Sequence, residues 1–221
     1  MRGRWRRAVG ALLLAAASEL ALAAPPGSAS GRAVAGLAGW LEGTRDLSCR
    51  FEQRLLSGAL GAGTRESGVL YLLRPGRLRW EYDDPEPKTA IVDGDRTLLF
   101  LPEDRQLIRG RMAPEENLLP ALLAGRGKLT ELFDARVLET GGSGLPDKVV
   151  VRLVPRSSSP GVQEVILTLR PPDYSIERAE VLDPAGNRME YLFTRARRNK
   201  GVSESLFTFE PPPGTEILGP P

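Results

Sequence analysis

Asp83, Asp84 and Glu86 are the side chains best spaced for covalent chemistry in this chain. Two carboxylates held about 5–9 Å apart can hydrolyse a glycoside, one as the acid and the other as nucleophile or base. The same stretch, Asp83-Asp84-Pro85-Glu86-Pro87, also reads as a solvated turn, because two prolines break any strand ladder. A solvated turn is expected. The chain has no histidine. That closes Ser-His-Asp and Cys-His nucleophile systems, zinc sites of the His-Glu-x-x-His kind and most transition-metal sites. Neither a cofactor nor a metal is expected. The one cysteine, Cys49, alternates in phase with Leu47 and Phe51, so it is expected to be a buried structural thiol. Arg195, Arg197, Arg198 and Lys200 form a basic run that reads as a solvated loop, with contact to an acidic partner or to headgroups as the alternative.

The remaining chemistry is non-covalent. Residues 77–83 read Arg-Leu-Arg-Trp-Glu-Tyr-Asp, alternating charged with apolar. A strand with that period of two presents Leu78, Trp80 and Tyr82 on one face and an ionic row on the other. Phe51, Ile91, Val151 and Leu167 lie in further strand patterns and are expected to join them on one apolar wall. Such a wall is either the filled core of a barrel or sandwich, or the lining of a cavity for hydrocarbon.

At the N-terminus, Arg2, Arg4, Arg6 and Arg7 precede an apolar run from Ala8 to Ala17 and the small residues Ala21-Leu22-Ala23-Ala24. The run is too short to span a bilayer and has the form of a secretion signal, residues 1–23, cut near Ala23. No Cys follows it to take a lipid, so a soluble mature protein is expected. The whole chain carries 30 Lys and Arg against 28 Asp and Glu, and losing the leader leaves 26 against 27. A near-neutral domain gives no basic stripe for a nucleic-acid partner.

After a flexible lead-in, residues 24–32, Val34, Leu37, Trp40 and Leu41 fall at helical spacing. Strand patterns follow at 47–56, 68–73, 77–83, 90–92, 97–101 and 106–109, with Asp93-Gly94 as a hairpin signal. Residues 114–133 turn helical. Leu118, Leu119, Leu122 and Leu123 share a face, Pro120 marks a kink or the first turn, and a second short helix covers 128–133. Alternation resumes at 149–153, 165–169, 176–182, 189–193 and 206–209. About eleven strands with short connections argue for an antiparallel meander. The expected fold is mainly β with helices: a single domain, residues 33–215, forming a curved, unclosed antiparallel barrel with helices in its mouth and a lipid-sized apolar interior. Residues 216–221 are left as a tail.

Several of these segments carry a resemblance. Phe51-Glu52-Gln53, Gly68-Val69-Leu70 and Arg74-Pro75-Gly76-Arg77-Leu78-Arg79-Trp80-Glu81-Tyr82 resemble the N-terminal half of the periplasmic outer-membrane lipoprotein carrier family. Ile91-Val92-Asp93-Gly94, Val154-Pro155-Arg156 and Phe207-Thr208-Phe209-Glu210-Pro211-Pro212-Pro213-Gly214 continue it in order. It is weakest from Met112 to Phe133. The resemblance implies an unclosed barrel with an α-helical lid whose inward face is Leu118, Leu119, Leu122 and Leu123. It implies that Arg74 is a latch donating to lid-helix carbonyls. It also implies a monomeric periplasmic carrier that takes acylated lipoproteins from an inner-membrane ATP-driven lipoprotein-releasing transporter and hands them to an outer-membrane receptor of similar fold. A shuttle for another lipid or glycolipid, a lipid-sensing regulatory module, and a carboxylate-only hydrolase are the competing readings.

Overall fold

A computed structural model describes residues 29–56, 63–111, 118–140 and 148–220. The expected leader and most of the lead-in lie outside these residues, as do residues 114–117 at the start of the expected helical stretch.

Helix α1 (Ala29–Glu42) buries Leu37, Trp40 and Leu41 as its apolar spacing prescribes, with Val34 only partly buried and Ala33 fully buried. Its internal Gly36 is there for space: a Cβ at this position would lie 2.1 Å from the Tyr174 ring. Six strands follow: β1 (Asp46–Leu56), β2 (Gly63–Leu73), β3 (Arg77–Asp84), β4 (Lys88–Asp93), β5 (Arg96–Leu101) and β6 (Gln106–Arg111). Two short helices, α2 (Leu118–Leu123) and α3 (Leu129–Leu132), interrupt them. Then come β7 (Phe133–Thr140), β8 (Val149–Pro155), β9 (Glu164–Arg170), β10 (Ser175–Leu182) and β11 (Arg188–Arg198), a 3-10 turn at Glu204–Phe207, and β12 (Glu216–Leu218).

All twelve strands form one sheet in the order β12-β6-β5-β4-β3-β2-β1-β11-β10-β9-β8-β7. Every pairing is antiparallel except β12 on β6. The strands at the two ends of that order do not pair, so the barrel stays open. Strand alternation sends Leu70, Leu72, Leu78, Val151, Leu153, Val165, Leu167 and Leu169 to one side, where they merge with α1 and α2 in a single apolar cluster. The opposite side is laced with ion pairs, among them Arg50–Asp83 at 2.5 Å, Arg65–Glu52 at 2.7 Å and Arg178–Glu190 at 3.0 Å.

Three details differ from the sequence reading. Residues 133–140 form a strand, with Phe133, Ala135 and Val137 facing the core, because the helical pattern ends at Leu132 rather than running on. Residues 206–209 are not a strand: Ser203 caps a 3-10 turn by accepting from the Ser205 N–H. The expected tail instead supplies β12, whose Glu216, Ile217 and Leu218 pair with Gln106, Leu107 and Ile108. The count among the described residues is therefore twelve.

The end of α1 is clamped to the end of β11. Arg198 Nε donates to Thr44 Oγ1 at 2.7 Å and Nη2 to the Trp40 carbonyl at 3.1 Å, with its guanidinium 5.6 Å from the Trp40 ring centroid. Asn199 Nδ2 donates to the Gly43 carbonyl at 2.9 Å, and buried Asp46 Oδ1 accepts the Lys200 and Gly201 N–H groups at 2.9 Å each. The expected basic loop thus belongs partly to β11, and Arg198 has a structural partner.

Candidate hydrophobic-ligand site

On the concave side, Phe51 packs edge-on against Trp80 and Tyr82, with centroids 4.9 and 5.0 Å away. Trp80 lies 5.5 Å from Tyr191, which stacks on Phe193 at 6.0 Å. The register explains the assembly: Phe51 opposes Phe193 and Gln53 opposes Tyr191 across β1 and β11. Phe51, Leu78, Val151 and Leu167 are buried in the main cluster, while Trp80 and Tyr82 are half-buried against it. Tyr191 and Phe193 were legible only as strand alternation; their place beside Trp80 needed the long-range pairing of β1 with β11.

Ile91 is placed elsewhere. It opposes Arg79 on β3 and Leu98 on β5, so it faces away from Leu78 and Trp80, whose same-side partners are Val92 and Ala90. Ile91 is buried, but outside the main cluster. It lies on the side that carries the C-terminal segment, whose 3-10 turn packs on β3 and β4. There Phe100 meets Phe209 at 4.9 Å and Arg79 Nη1 donates to the Leu206 carbonyl at 2.7 Å. Alternation within β4 alone does not say which phase faces inward.

One end of the concave face is polar. Tyr82 Oη donates to Gln53 Oε1 at 3.3 Å, Gln53 Nε2 donates to Glu66 Oε2 at 3.2 Å, and Lys88 pairs with Glu66 while lying 4.5 Å from the Tyr82 ring centroid. Burial, with Glu66 adding, pushes the Tyr82 phenol up to about 12, and burial raises Tyr191 as well. Burial alone pushes the Cys49 thiol up to about 12.

Helix α2 lies over this face. Leu118, Leu119, Ala121, Leu122 and Leu123 are all buried, and Pro120 sits in the first turn, where its missing N–H has no intrahelical acceptor to lose. A cavity of about 200 Å³ lies beneath the helix, lined by Leu119, Leu123, Trp80, Val181, Met189 and Tyr191. A second, of about 320 Å³, lies toward α1 and includes Trp40, Leu47, Cys49, Leu72 and Leu123. Leu123 borders both.

The carbonyls that end α2 are met by Arg74. Its Nε donates to the Leu123 carbonyl at 3.0 Å and its Nη2 to the Leu122 carbonyl at 3.1 Å. The Gly76 N–H donates to the Ala124 carbonyl at 2.8 Å, and the Arg126 guanidinium donates to the Gly94 carbonyl. Helix C-terminal carbonyls lack intrahelical donors and carry partial negative charge, so a planar guanidinium with parallel N–H groups suits them. Burial, and then Arg198, lower the Arg74 pKa from its ordinary value. Gly125, at φ +76, follows in the left-handed conformation, and a Cβ there would stand 3.0 Å from Arg74 Cδ and Nε.

No metal-holding cluster of His, Cys, Asp or Glu occurs among the described residues. Asp83 is engaged with Arg50, which holds its carboxyl below the usual range, and with the Ser67 hydroxyl.

The architecture is that of an unclosed β-barrel whose apolar concave face is covered by a helix. A profile of the outer membrane lipoprotein carrier protein LolA family matches residues 42–210, and the chain belongs to that family. An outer-membrane lipoprotein carrier protein of Pseudomonas syringae pv. tomato is 29% identical over 204 residues, 91% of this chain and 95% of that one. One from Pseudomonas aeruginosa is 30% identical over 191 residues, 84% of this chain and 87% of its own length. Among solved structures, an uncharacterized conserved protein from Thermus thermophilus shares the fold, with a TM-score of 0.52 at 14% identity, covering 84% of this chain and 96% of that one. By its description the family is one of outer-membrane lipoprotein carriers.

Proposed function

We propose that this protein crosses the periplasm with the acyl chains of lipoproteins seated between the concave face and α2. Trp80 borders the cavity of about 200 Å³, while Phe51, Leu78, Tyr82, Val151 and Leu167 are packed behind it and join the wall once the lid, Leu118, Leu119, Leu122 and Leu123, lifts. Burying hydrocarbon yields about 0.8 kcal/mol per methylene, so sheltering half of a sixteen-carbon chain gives about 6 kcal/mol before any opposing term. Ligand pockets usually measure about 300–1,000 Å³. The cavities of about 200 and 320 Å³ fall at or below the low end of that range, so α2 must lift for lipoprotein chains to enter.

The observation that carries the reading is the grip of Arg74 on the Leu122 and Leu123 carbonyls. It favours a closed lid, and a closed lid competes with cargo. That competition lets a carrier release what it binds. The donor is then an inner-membrane ATP-driven transporter and the acceptor an outer-membrane receptor of similar fold. Residues 1–23 act as the export signal and the mature protein works as a soluble monomer.

The test is to incubate the purified mature protein with inner-membrane vesicles containing that transporter and ATP. Acylated lipoproteins should appear in the supernatant in complex with the protein, identified by mass spectrometry. If the lipoproteins stay in the vesicles, or only free lipids come off, the assignment is wrong.

A further inference from the structure

Strands β10 and β11 pair only from Arg178–Leu192 to Leu182–Arg188. Beyond Leu192, β11 continues to Arg198 with β1 as its neighbour, while β10 runs back to Ser175 with β9. The register shifts between Ser48 and Arg50 on the β1–β11 side and between Ile176 and Arg178 on the β9–β10 side. Bulges turn strands away from their neighbours, and here one lies on each side of the divergence. Arg195 sits inside it at φ 53, in the left-handed region that side chains seldom adopt. The sheet therefore splits along a seam, across which 175–177 of β10 and 194–196 of β11 are not paired with each other.

The cavity of about 320 Å³ fills that seam. Its inner wall is apolar, with Trp40, Leu47, Cys49 and Leu72, and its outer lining includes Arg170 and Arg195. Glu177 at the same place already pairs with Lys148 and Arg170. Arg195 is exposed and forms no ion pair among the described residues. The mouth thus carries spare positive charge in front of a greasy interior.

We propose that the seam is a second, lid-independent entrance that admits one long-chain carboxylate, a free fatty acid, with its head at Arg195 and its chain toward Trp40. This rests on reading the interior as a site for acyl chains. The volume lies at the low end for ligand pockets, which suits one chain. Charge complementarity selects an anion. A fatty acid seated here would lie against Leu123 and so reach the lid from behind.

Two tryptophans of the mature domain report on the two cavities separately, Trp40 on the seam and Trp80 on the space beneath α2. Brominated palmitate, a contact quencher, is titrated into Trp80→Phe and Trp40→Phe proteins, with brominated hexadecanol as the uncharged control. The expected result is quenching of Trp40 at lower concentration than Trp80. Affinity should rise about fourfold per added methylene, the ratio that about 0.8 kcal/mol gives, until the cavity is full. Arg195→Glu should weaken palmitate at least tenfold and hexadecanol little. Ala196→Phe, at an exposed position on β11 that borders the cavity, should abolish Trp40 quenching with an unchanged circular dichroism spectrum. Trp80 quenched first, or Trp40 quenching unaltered by both substitutions, overturns the proposal. Lipoprotein release from vesicles, run in parallel, separates the two readings: it should survive Ala196→Phe, and its absence in the unsubstituted protein would count against the carrier while leaving the Trp40 result standing.

Discussion

Replacing Arg74 with Leu removes both guanidinium donors, at 3.0 and 3.1 Å, from the Leu123 and Leu122 carbonyls while leaving α2 its buried leucines. Hydrogen bonds involving a charged group contribute about 1.5–3 kcal/mol each. Arg74 is only half-buried, so solvent screening and replacement by water reduce the pair to about 2–3 kcal/mol in total. The closed lid then loses a factor of about 30–150 relative to the open one. On the proposed mechanism cargo binds the open form, so apparent affinity should rise by up to that factor and release should slow correspondingly. The assay loads the purified variant with a radiolabelled lipoprotein, adds outer membranes bearing the receptor, and follows label moving to the pellet. Arg74→Leu should accept lipoprotein and fail to deliver it, while Arg74→Lys, which keeps the charge but not the paired donors, should deliver slowly. Normal delivery at unchanged affinity would refute the latch. A lowered melting temperature with unaltered affinity would refute it too, by reducing Arg74 to a stabilising contact.

Gly125→Ala should resemble Arg74→Leu, because the left-handed φ costs a non-glycine residue about 1–2 kcal/mol and the added carbon presses on the guanidinium; wild-type delivery kinetics would contradict this. Leu78→Ala and Ile91→Ala should each lower stability by about 2–5 kcal/mol in urea unfolding, yet only Leu78→Ala should change the affinity for an alkyl probe, since Ile91 faces the other side of the sheet. The melting temperature should be flat between about pH 5 and 8, where the absence of histidine leaves no ordinary side chain to titrate. It should then fall at higher pH. The buried Cys49 thiol, pushed up to about 12, stays neutral in the fold while the unfolded thiol ionises from about 8.5, so stability is intact below that pH and declines above it by up to about 1.4 kcal/mol per unit. Cys49→Ala should delay the onset to about pH 10, where tyrosine takes over; an unmoved onset would show that another group controls it.

Local pattern settled a good deal of this protein. Period-two alternation in 77–83 fixed β3 and the phase that points Leu78, Trp80 and Tyr82 together, because a strand's side chains have only two sides to choose between. Pro120 allowed either a kink or a first turn, and α2, starting at Leu118, puts it in the first turn, where a ring without an N–H fits. The missing histidine closed whole classes of chemistry. Tertiary structure decided the rest. Ile91 alternates as well as Leu78 does, and only its register with Arg79 and Leu98 sends it to the far side. Residues 216–218 have no strand signature of their own and become β12 because β6 offers an open edge. The meeting of Arg74 with the carbonyls of Leu122 and Leu123 joins residues nearly fifty positions apart. Alternation is a property of neighbours along the chain, whereas partners across a sheet or beneath a lid are fixed only when the folded backbone brings distant segments into contact.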